Sequence, residues 1–256
     1  MKLIDSNIEK STFFQFFTLV TRFDEYQEMV KSAKNAGFQD SAFYYFDNKN
    51  INDFDAFSGI NHAIKLCTSK YLIFCHQDIL FNFDTKDHLL QKIEELETID
   101  PSWAVIGNAG RTRKGQPIIK ITDPHGEEQT QGPLPSEVMS VDENFMIINM
   151  KNNLSATTTL KGFHLYGLDL CQNAEYLGLK SYVIDFHLLH KSKGNIDQSF
   201  FNSRKEYIQL QQRRKKLKWF FTTCTRFCVT SSVLWNAILN NKVILKLLTS
   251  LLRRQK

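Results

Sequence analysis

Between Phe13 and His190 the chain switches repeatedly from short apolar runs to helical spacing, and this alternation constrains the fold more than any other feature. Phe13 to Val20 is a dense apolar run, followed by Tyr26, Met29, Val30 and Ala33 at helical intervals, with Gly37 as a stop. Ala42 to Phe46 forms the next strand, and Phe57, Ile60, Ile64 and Cys67 mark a second helix face. Tyr71 to Cys75 is a fully apolar strand. Thr85 caps a helix carrying Leu89, Ile93 and Leu96, which must end before Pro101, and Trp103 to Ile106 follows as a strand. Strands alternating with helices predict a parallel sheet covered on both faces. After Gly107 the pattern changes. Seven glycines and prolines between Gly115 and Pro135 predict mostly loop over 111–137, with a hairpin near Lys114-Gly115. Strands around Val138–Val141 and Phe145–Asn149, a helix from Gly167 to Gly178 and a last strand Tyr182–His190 complete a three-layer α/β domain with a mixed, mainly parallel central sheet.

Charge divides the chain. From Arg204 onward, thirteen Lys and Arg face one acid, Glu206, a net of +12; with +5 overall, residues 1–203 carry −7. That asymmetry predicts a catalytic domain over 1–203 and a basic, amphipathic helical tail over 204–256 that meets an acidic partner alone. Arg213-Arg-Lys-Lys216 and Lys218 stand beside Trp219-Phe220-Phe221. Further on, Lys242, Lys246, Thr249 and Arg253 share one helical face, while Leu234, Ile238, Leu245, Leu248 and Leu252 lie largely on another. Such a tail suits the surface of an anionic membrane, or packing on the catalytic domain or a second subunit. No nucleic-acid-binding motif accompanies it. No uncharged run reaches the ~20 residues of a membrane span. Met1 to Lys10 lacks the apolar stretch of a secretory signal. The five cysteines, Cys67, Cys75, Cys171, Cys224 and Cys228, show no zinc-type spacing and read as reduced cytosolic thiols.

In open α/β sheets, ligands sit outside the carboxyl ends of the strands. Thr21, Asp47-Asn48, His76-Gln77-Asp78 and His190 occupy those ends. Alternation places His76 and Asp78 on one side and Gln77 on the other, and a carboxylate beside an imidazole suits Mn²⁺ or Mg²⁺. The competing reading is a charged residue opening a surface turn.

The stretch Ser58-Gly-Ile-Asn-His-Ala-Ile-Lys-Leu-Cys-Thr-Ser-Lys-Tyr-Leu-Ile-Phe-Cys-His-Gln-Asp-Ile79 resembles the core of family 2-like glycosyltransferases with the GT-A fold. There a helix leads into a hydrophobic strand that ends in an Asp-x-Asp metal motif. Here His-Gln-Asp stands in its place, as in a bacterial subgroup. The resemblance implies a nucleotide-diphospho-sugar transferase in which Asp78 binds the metal, with His190 as a further ligand and His76 beside them. Phe46-Asp47-Asn48 resembles the nucleoside-binding end of the second strand. Thr21, Asn61 and Gln77 join Asp47, Asn48 and Asp78 as candidate nucleotide-sugar contacts. Val141-Asp-Glu-Asn-Phe-Met-Ile-Ile148 resembles the strand flanking the acceptor side. Gly162-Phe-His-Leu-Tyr-Gly-Leu-Asp-Leu-Cys171 resembles the segment bearing the catalytic carboxylate, so Asp169 becomes the candidate general base although Leu168 replaces the usual Glu. An Asp in the first turn of a helix also complements the helix dipole, worth roughly 0.3–1 kcal/mol, without any catalytic part.

The expected activity is transfer of a sugar, with a UDP-sugar favoured, to a hydroxyl of a glycan or lipid-linked acceptor. The reaction is inverting and uses Mn²⁺ or Mg²⁺. It serves bacterial surface polysaccharide or lipopolysaccharide assembly at the inner face of the cell membrane. Two alternatives stand beside it: a metal-dependent phosphohydrolase using His76, Asp78 and His190, and a non-catalytic nucleotide-binding scaffold. His187, three residues before His190 on what reads as one strand, is expected to be a packed histidine.

Overall fold

The computed structural model describes residues 2–3, 13–194, 196–215, 217–221, 226–241 and 243–247. Two compact units divide the chain, Met1–Ser203 and Arg204–Lys256. The first runs β1 (Lys2–Leu3), β2 (Phe14–Val20), α1 (Phe23–Asn35), β3 (Ala42–Asp47), α2 (Ala56–Leu66), β4 (Tyr71–Cys75), β5 (Ile79–Leu80) and α3 (Lys86–Ile99). It continues with β6 (Val105–Gly107), β7 (Ala109–Arg111), β8 (Pro117–Asp123), β9 (Gly126–Gln131), β10 (Ser136–Val138), β11 (Ser140–Val141) and β12 (Phe145–Asn149). Then come α4 (Tyr166–Tyr176), β13 (Ser181–Val183), β14 (Leu188–His190) and α5 (Gln198–Lys215), whose last turns belong to the second unit.

The large sheet has the order β1-β3-β2-β4-β12-β6-β13-β10. β2, β3, β4, β6 and β13 run parallel, while β12 is inserted antiparallel between β4 and β6. Strand alternation sorts the core into two layers. Phe14, Phe16, Tyr71, Ile73, Phe145 and Ile147 face α1 and α3, which bury Tyr26, Met29, Leu89, Ile93 and Leu96. The other face carries Phe17, Phe74 and Met146 and is covered by α2 and α4. The result is a mixed α/β domain of three layers. Local chemistry sets the helix ends as expected. Thr85 Oγ1 accepts from His88 N and Asp55 Oδ1 from Ser58 N at the N-caps, and Gly37 closes α1 at φ 103°. On α2 the buried stripe is Phe57, Gly59, Ile60 and Ala63, so Ile64 and Cys67 lie at its margin.

Two sequence expectations are corrected. Residues 111–137 are mostly strand. β7, β8 and β9 form consecutive hairpins in a second, six-stranded sheet of order β11-β7-β8-β14-β5, with β9 on β8. The prolines and glycines that suggested loop stand at strand ends and in turns, where a missing donor costs nothing: Pro117 opens β8, and Pro124 sits in the turn before β9. Tyr182–His190 is not one strand. A tight turn, in which Phe186 N donates to Ile184 O at 3.0 Å, carries the chain from β13 in the large sheet to β14 in the small one.

In the second unit the expected helical tail also contains a two-stranded ribbon, β15 (Lys218–Phe221) with β16 (Arg226–Val229), before α6 (Val233–Leu239). Alternating aromatics explain it. Phe220 and Phe227 stack on one face at 5.1 Å, while Trp219 pairs with Cys228 on the other. Lys216, Cys224, Lys242, Leu248, Thr249, Leu252, Arg253 and all of Met1 to Lys10 except Lys2-Leu3 lie outside the described residues. No helix among the described residues is long and apolar enough to cross a membrane.

Candidate functional site

β2, β3 and β4 are parallel, so Thr21, Asn48 and His76-Gln77-Asp78 emerge at one rim. They line a cavity of about 320 Å³ with Asn52, Phe163 and Tyr166. Gln77 stitches two of these strand ends together. Its Oε1 accepts from Thr21 N at 2.9 Å and Arg22 N at 3.0 Å, while its Nε2 donates to Thr21 Oγ1 at 3.1 Å. Asn48 braces the following loop, donating to Phe54 O and accepting from Phe54 N. Asp47 is exposed and does not line this cavity; its Oδ1 accepts from Lys49 N. Asn61 is also elsewhere. Its side-chain amide donates to Ala156 O at 3.0 Å and accepts from Ala156 N at 2.9 Å, which spends it on pinning a loop.

The turn after β4 directs His76 and Asp78 together, away from Gln77. β14 brings His190 to them, because His190 pairs with Ile79 across β5 and Lys191 N donates to Asp78 O at 3.0 Å. His76 Nδ1 lies 3.4 Å from His190 Nε2, and Asp78 Oδ1 lies 3.5 Å from His190 Nε2 and 4.0 Å from His76 Nδ1. Second contacts fix the rings. Tyr166 Oη donates to Glu143 O at 3.2 Å, so it accepts from His76 Nε2 at 3.1 Å, leaving the Nδ1 lone pair turned inward. Ser192 Oγ lies 3.1 Å from His190 Nε2. Burial opposes ionisation of Asp78, but His190, His76 and Ser192 hold its carboxyl well below the usual carboxylate range. Burial and the neighbouring His190 push His76 down, favouring the neutral ring that a metal needs. Burial also acts against His190, yet Asp78 lifts it above the ordinary imidazole value. Two imidazole nitrogens and one carboxylate oxygen, all within 4.8 Å of one another, are a donor set that could hold a divalent ion. His187 is no part of it: its ring stacks on Phe83 at 3.8 Å and its Nε2 bonds Thr122 Oγ1.

On the other side of His76 and Phe163 lies a larger cavity of about 780 Å³, bordered by Asp142, Glu143, His164, Leu168, His190 and Ser192 among others. Asp169, the expected base, does not face either cavity. It is fully buried in α4, where Oδ2 accepts from Thr157 N at 2.6 Å and Asn173 Nδ2 at 3.1 Å, and Oδ1 accepts from Thr157 Oγ1 at 2.8 Å. It ties the 150–165 segment to the helix. Among the acids that do border the larger cavity is Glu143, whose Oε1 accepts from Gly167 N at 3.2 Å. Burial, reinforced by the nearby Asp142, pushes its carboxyl up to about 8 against the pull of backbone amides. Sequence reasoning missed Glu143 because it looked for acids at strand ends. β12 runs antiparallel, so the residues just before it share the rim, with Phe145 opposite Cys75.

No family model matches the sequence. A curated protein of Fuscovulum blasticum, described as "ATP synthase subunits region ORF 6", is 33% identical over 220 residues, covering 83% of this chain and 86% of its own length. The chain belongs to this ORF 6 family. Among solved structures, A197 from STIV aligns at 12% identity and TM-score 0.40 over 73% of this chain and 98% of its own. TarS 1–349 from S. aureus in complex with UDP-GlcNAc aligns at 10% identity and TM-score 0.42, over 72% of this chain and 60% of that one.

In this ORF 6 family member burial pushes the Cys75 thiol up to about 12 and the Cys171 thiol up to about 11, which keeps both protonated. Glu143 gives stability a pH signature. A carboxyl raised on folding binds more protons in the native state, so its contribution is full below about pH 4.5 and is lost as pH rises toward 8. Thermal melts of Glu143→Gln against wild type should show a stability gap in favour of the variant that opens over that window. A gap that is flat from pH 5 to pH 9 would contradict the raised carboxyl.

Proposed function

We propose that this ORF 6 family member is a metal-dependent glycosyltransferase with a GT-A fold, moving a sugar from a nucleotide diphosphate, with a UDP-sugar favoured, to a hydroxyl of a glycan or lipid-linked acceptor. The observation that carries the reading is the His76–Asp78–His190 cluster, set in the wall shared by two cavities at the carboxyl ends of parallel strands. The smaller cavity, with Thr21, Asn48 and the Gln77 brace, suits the nucleotide; the larger suits the acceptor. Imidazole ligands favour Mn²⁺ over Mg²⁺ at this cluster. A divalent ion there supplies Lewis-acid neutralisation of the leaving diphosphate. Tyr166 holds His76 in its ligating tautomer. Family resemblance supports inversion at the anomeric carbon and a place in bacterial surface polysaccharide or lipopolysaccharide assembly. The test is a thermal-shift panel of UDP-, GDP-, CMP- and dTDP-sugars with Mn²⁺ and with EDTA. A donor at a hundred times its dissociation constant stabilises by about 2.7 kcal/mol, so one base series should raise the melting temperature only when Mn²⁺ is present. No shift from any donor with Mn²⁺ would defeat the reading.

The tail fits a peripheral position on an anionic membrane. Phe220, Phe227, Val229, Val233, Leu234 and Trp235 are exposed in the second unit, beside a strong excess of basic residues. Each basic residue near such a surface contributes about 1 kcal/mol. Changing Arg213, Arg214, Lys215, Lys216 and Lys218 to Gln should therefore lower binding to anionic vesicles by ~100-fold or more and leave the melting temperature nearly unchanged. Cosedimentation with phosphatidylserine and phosphatidylcholine vesicles at two salt concentrations decides it. Equal binding to both lipids, insensitive to salt, would rule out an electrostatic anchor.

A further inference from the structure

We infer that Glu143 is the general base for the acceptor hydroxyl, a role that rests on the glycosyltransferase reading above. Three observations converge on it. Glu143 borders the larger cavity together with His76 and His190, on the acceptor side of the proposed metal cluster. Its backbone is one hydroxyl removed from that cluster, since Tyr166 Oη bonds both Glu143 O and His76 Nε2. And the first turn of α4 is shaped to receive it. Leu165 adopts φ 66° and Gly167 presents its N–H to Glu143 Oε1. A Cβ on residue 167 would lie 2.7 Å from Val141 O and 3.1 Å from Glu143 Cγ, so only glycine lets α4 begin this close to the backbone that carries Glu143.

The other acids and bases bordering this cavity have hydrogen-bond partners of their own, as Glu143 Oε1 has in Gly167 N. Asp142 Oδ1 accepts from Asn144 N at 3.0 Å and Asn144 Nδ2 at 2.8 Å, which locks it into a turn. His164 Nε2 bonds Ser199 Oγ at 2.9 Å. Asp123 Oδ1 accepts from His125 N at 2.8 Å and Gln129 Nε2 at 2.7 Å, and His125 Nε2 lies 3.3 Å from Lys193 O. In the step itself the acceptor oxygen forms a bond to the anomeric carbon while the bond from that carbon to the phosphate oxygen breaks. The electron pair leaves with the diphosphate, and the acceptor proton passes to a carboxylate oxygen of Glu143. A carboxyl raised to about 8 is a stronger base than an ordinary glutamate, and near neutral pH it is matched to this task.

The experiment measures UDP release from the donor identified by the thermal panel, with Mn²⁺, and UDP binding by calorimetry, in wild type, Glu143→Gln, Glu143→Asp and Asp142→Asn. Water serves as acceptor if no glycan does. We expect Glu143→Gln to bind UDP with Mn²⁺ within about threefold of wild type and to release UDP ~10²-fold more slowly or worse. Glu143→Asp should fold and recover part of the rate, since it keeps a carboxylate on a shorter arm. A Glu143→Gln rate within tenfold of wild type, or a large loss confined to Asp142→Asn, overturns the assignment. Loss of UDP binding in Glu143→Gln also overturns it, by showing a structural part. If wild type itself neither binds UDP with Mn²⁺ nor releases it, the glycosyltransferase reading fails first.

Discussion

Asp78→Ala is expected to abolish tight Mn²⁺ binding, by ~100-fold or more, and to remove all metal dependence from UDP binding. Asp78 is the only carboxylate of the cluster and is held ionised by two imidazoles and Ser192 although it is buried. Losing even a residue that merely orients a ligand costs metal sites 10–100-fold, and losing the charged ligand should cost at least that. Removing it leaves two imidazoles 3.4 Å apart with no anion between them, a neutral pair with little hold on a hard cation. Titration of Mn²⁺ followed by its electron paramagnetic resonance signal reads the site without any need for a donor or acceptor. Undiminished Mn²⁺ affinity in the variant would remove Asp78 from the site.

Asp169→Ala is expected to cost stability, about 3–5 kcal/mol, with no specific loss of chemistry at temperatures where the variant stays folded. Its carboxylate is fully buried and takes hydrogen bonds from Thr157 N, Thr157 Oγ1 and Asn173 Nδ2. Deleting it takes the charged acceptor away from Thr157 N, Thr157 Oγ1 and Asn173 Nδ2, hydrogen bonds worth about 1.5–3 kcal/mol each, and loosens the loop that α4 holds. At about 2–4 °C per kcal/mol for a domain of this size, the melting temperature should fall by roughly 10 °C or more. Differential scanning calorimetry checks this directly. A variant that melts like wild type but has lost turnover would instead restore Asp169 as the base.

The parts of this fold that were legible in the sequence are those where one periodicity runs undisturbed. The apolar strand Tyr71–Cys75 is buried along its whole length, and the 3.6-residue rhythm of Leu89, Ile93 and Leu96 packs as read. The β7–β8 hairpin turns at Lys114-Gly115 as read, whereas the length of β8 and the β8–β9 hairpin were hidden because a strand bounded by prolines, and half exposed, resembles loop composition. Tyr182–His190 read as one strand because local pattern carries no record of which sheet a residue joins. At the site, His76, Gln77 and Asp78 announced themselves by a sharp polar break after a buried run, and His190 by its place at a strand end. The burial of Asp169 was not legible in the sequence. A helix-start acid looks the same in sequence whether it faces a cavity or a buried loop, and Thr157, twelve residues away, decides between them. Glu143 needed the antiparallel direction of β12, which only the pairing with β4 reveals.

In the proposed function His76, Asp78 and His190 hold the metal through which the nucleotide diphosphate binds. Calorimetric titration of UDP into the wild-type protein, once with Mn²⁺ and once with EDTA, tests it most directly. A single saturable site is expected with Mn²⁺, and an affinity at least ~10-fold weaker with EDTA, a difference of about 1.4 kcal/mol. Equal affinity under both conditions, or no binding under either, would contradict it.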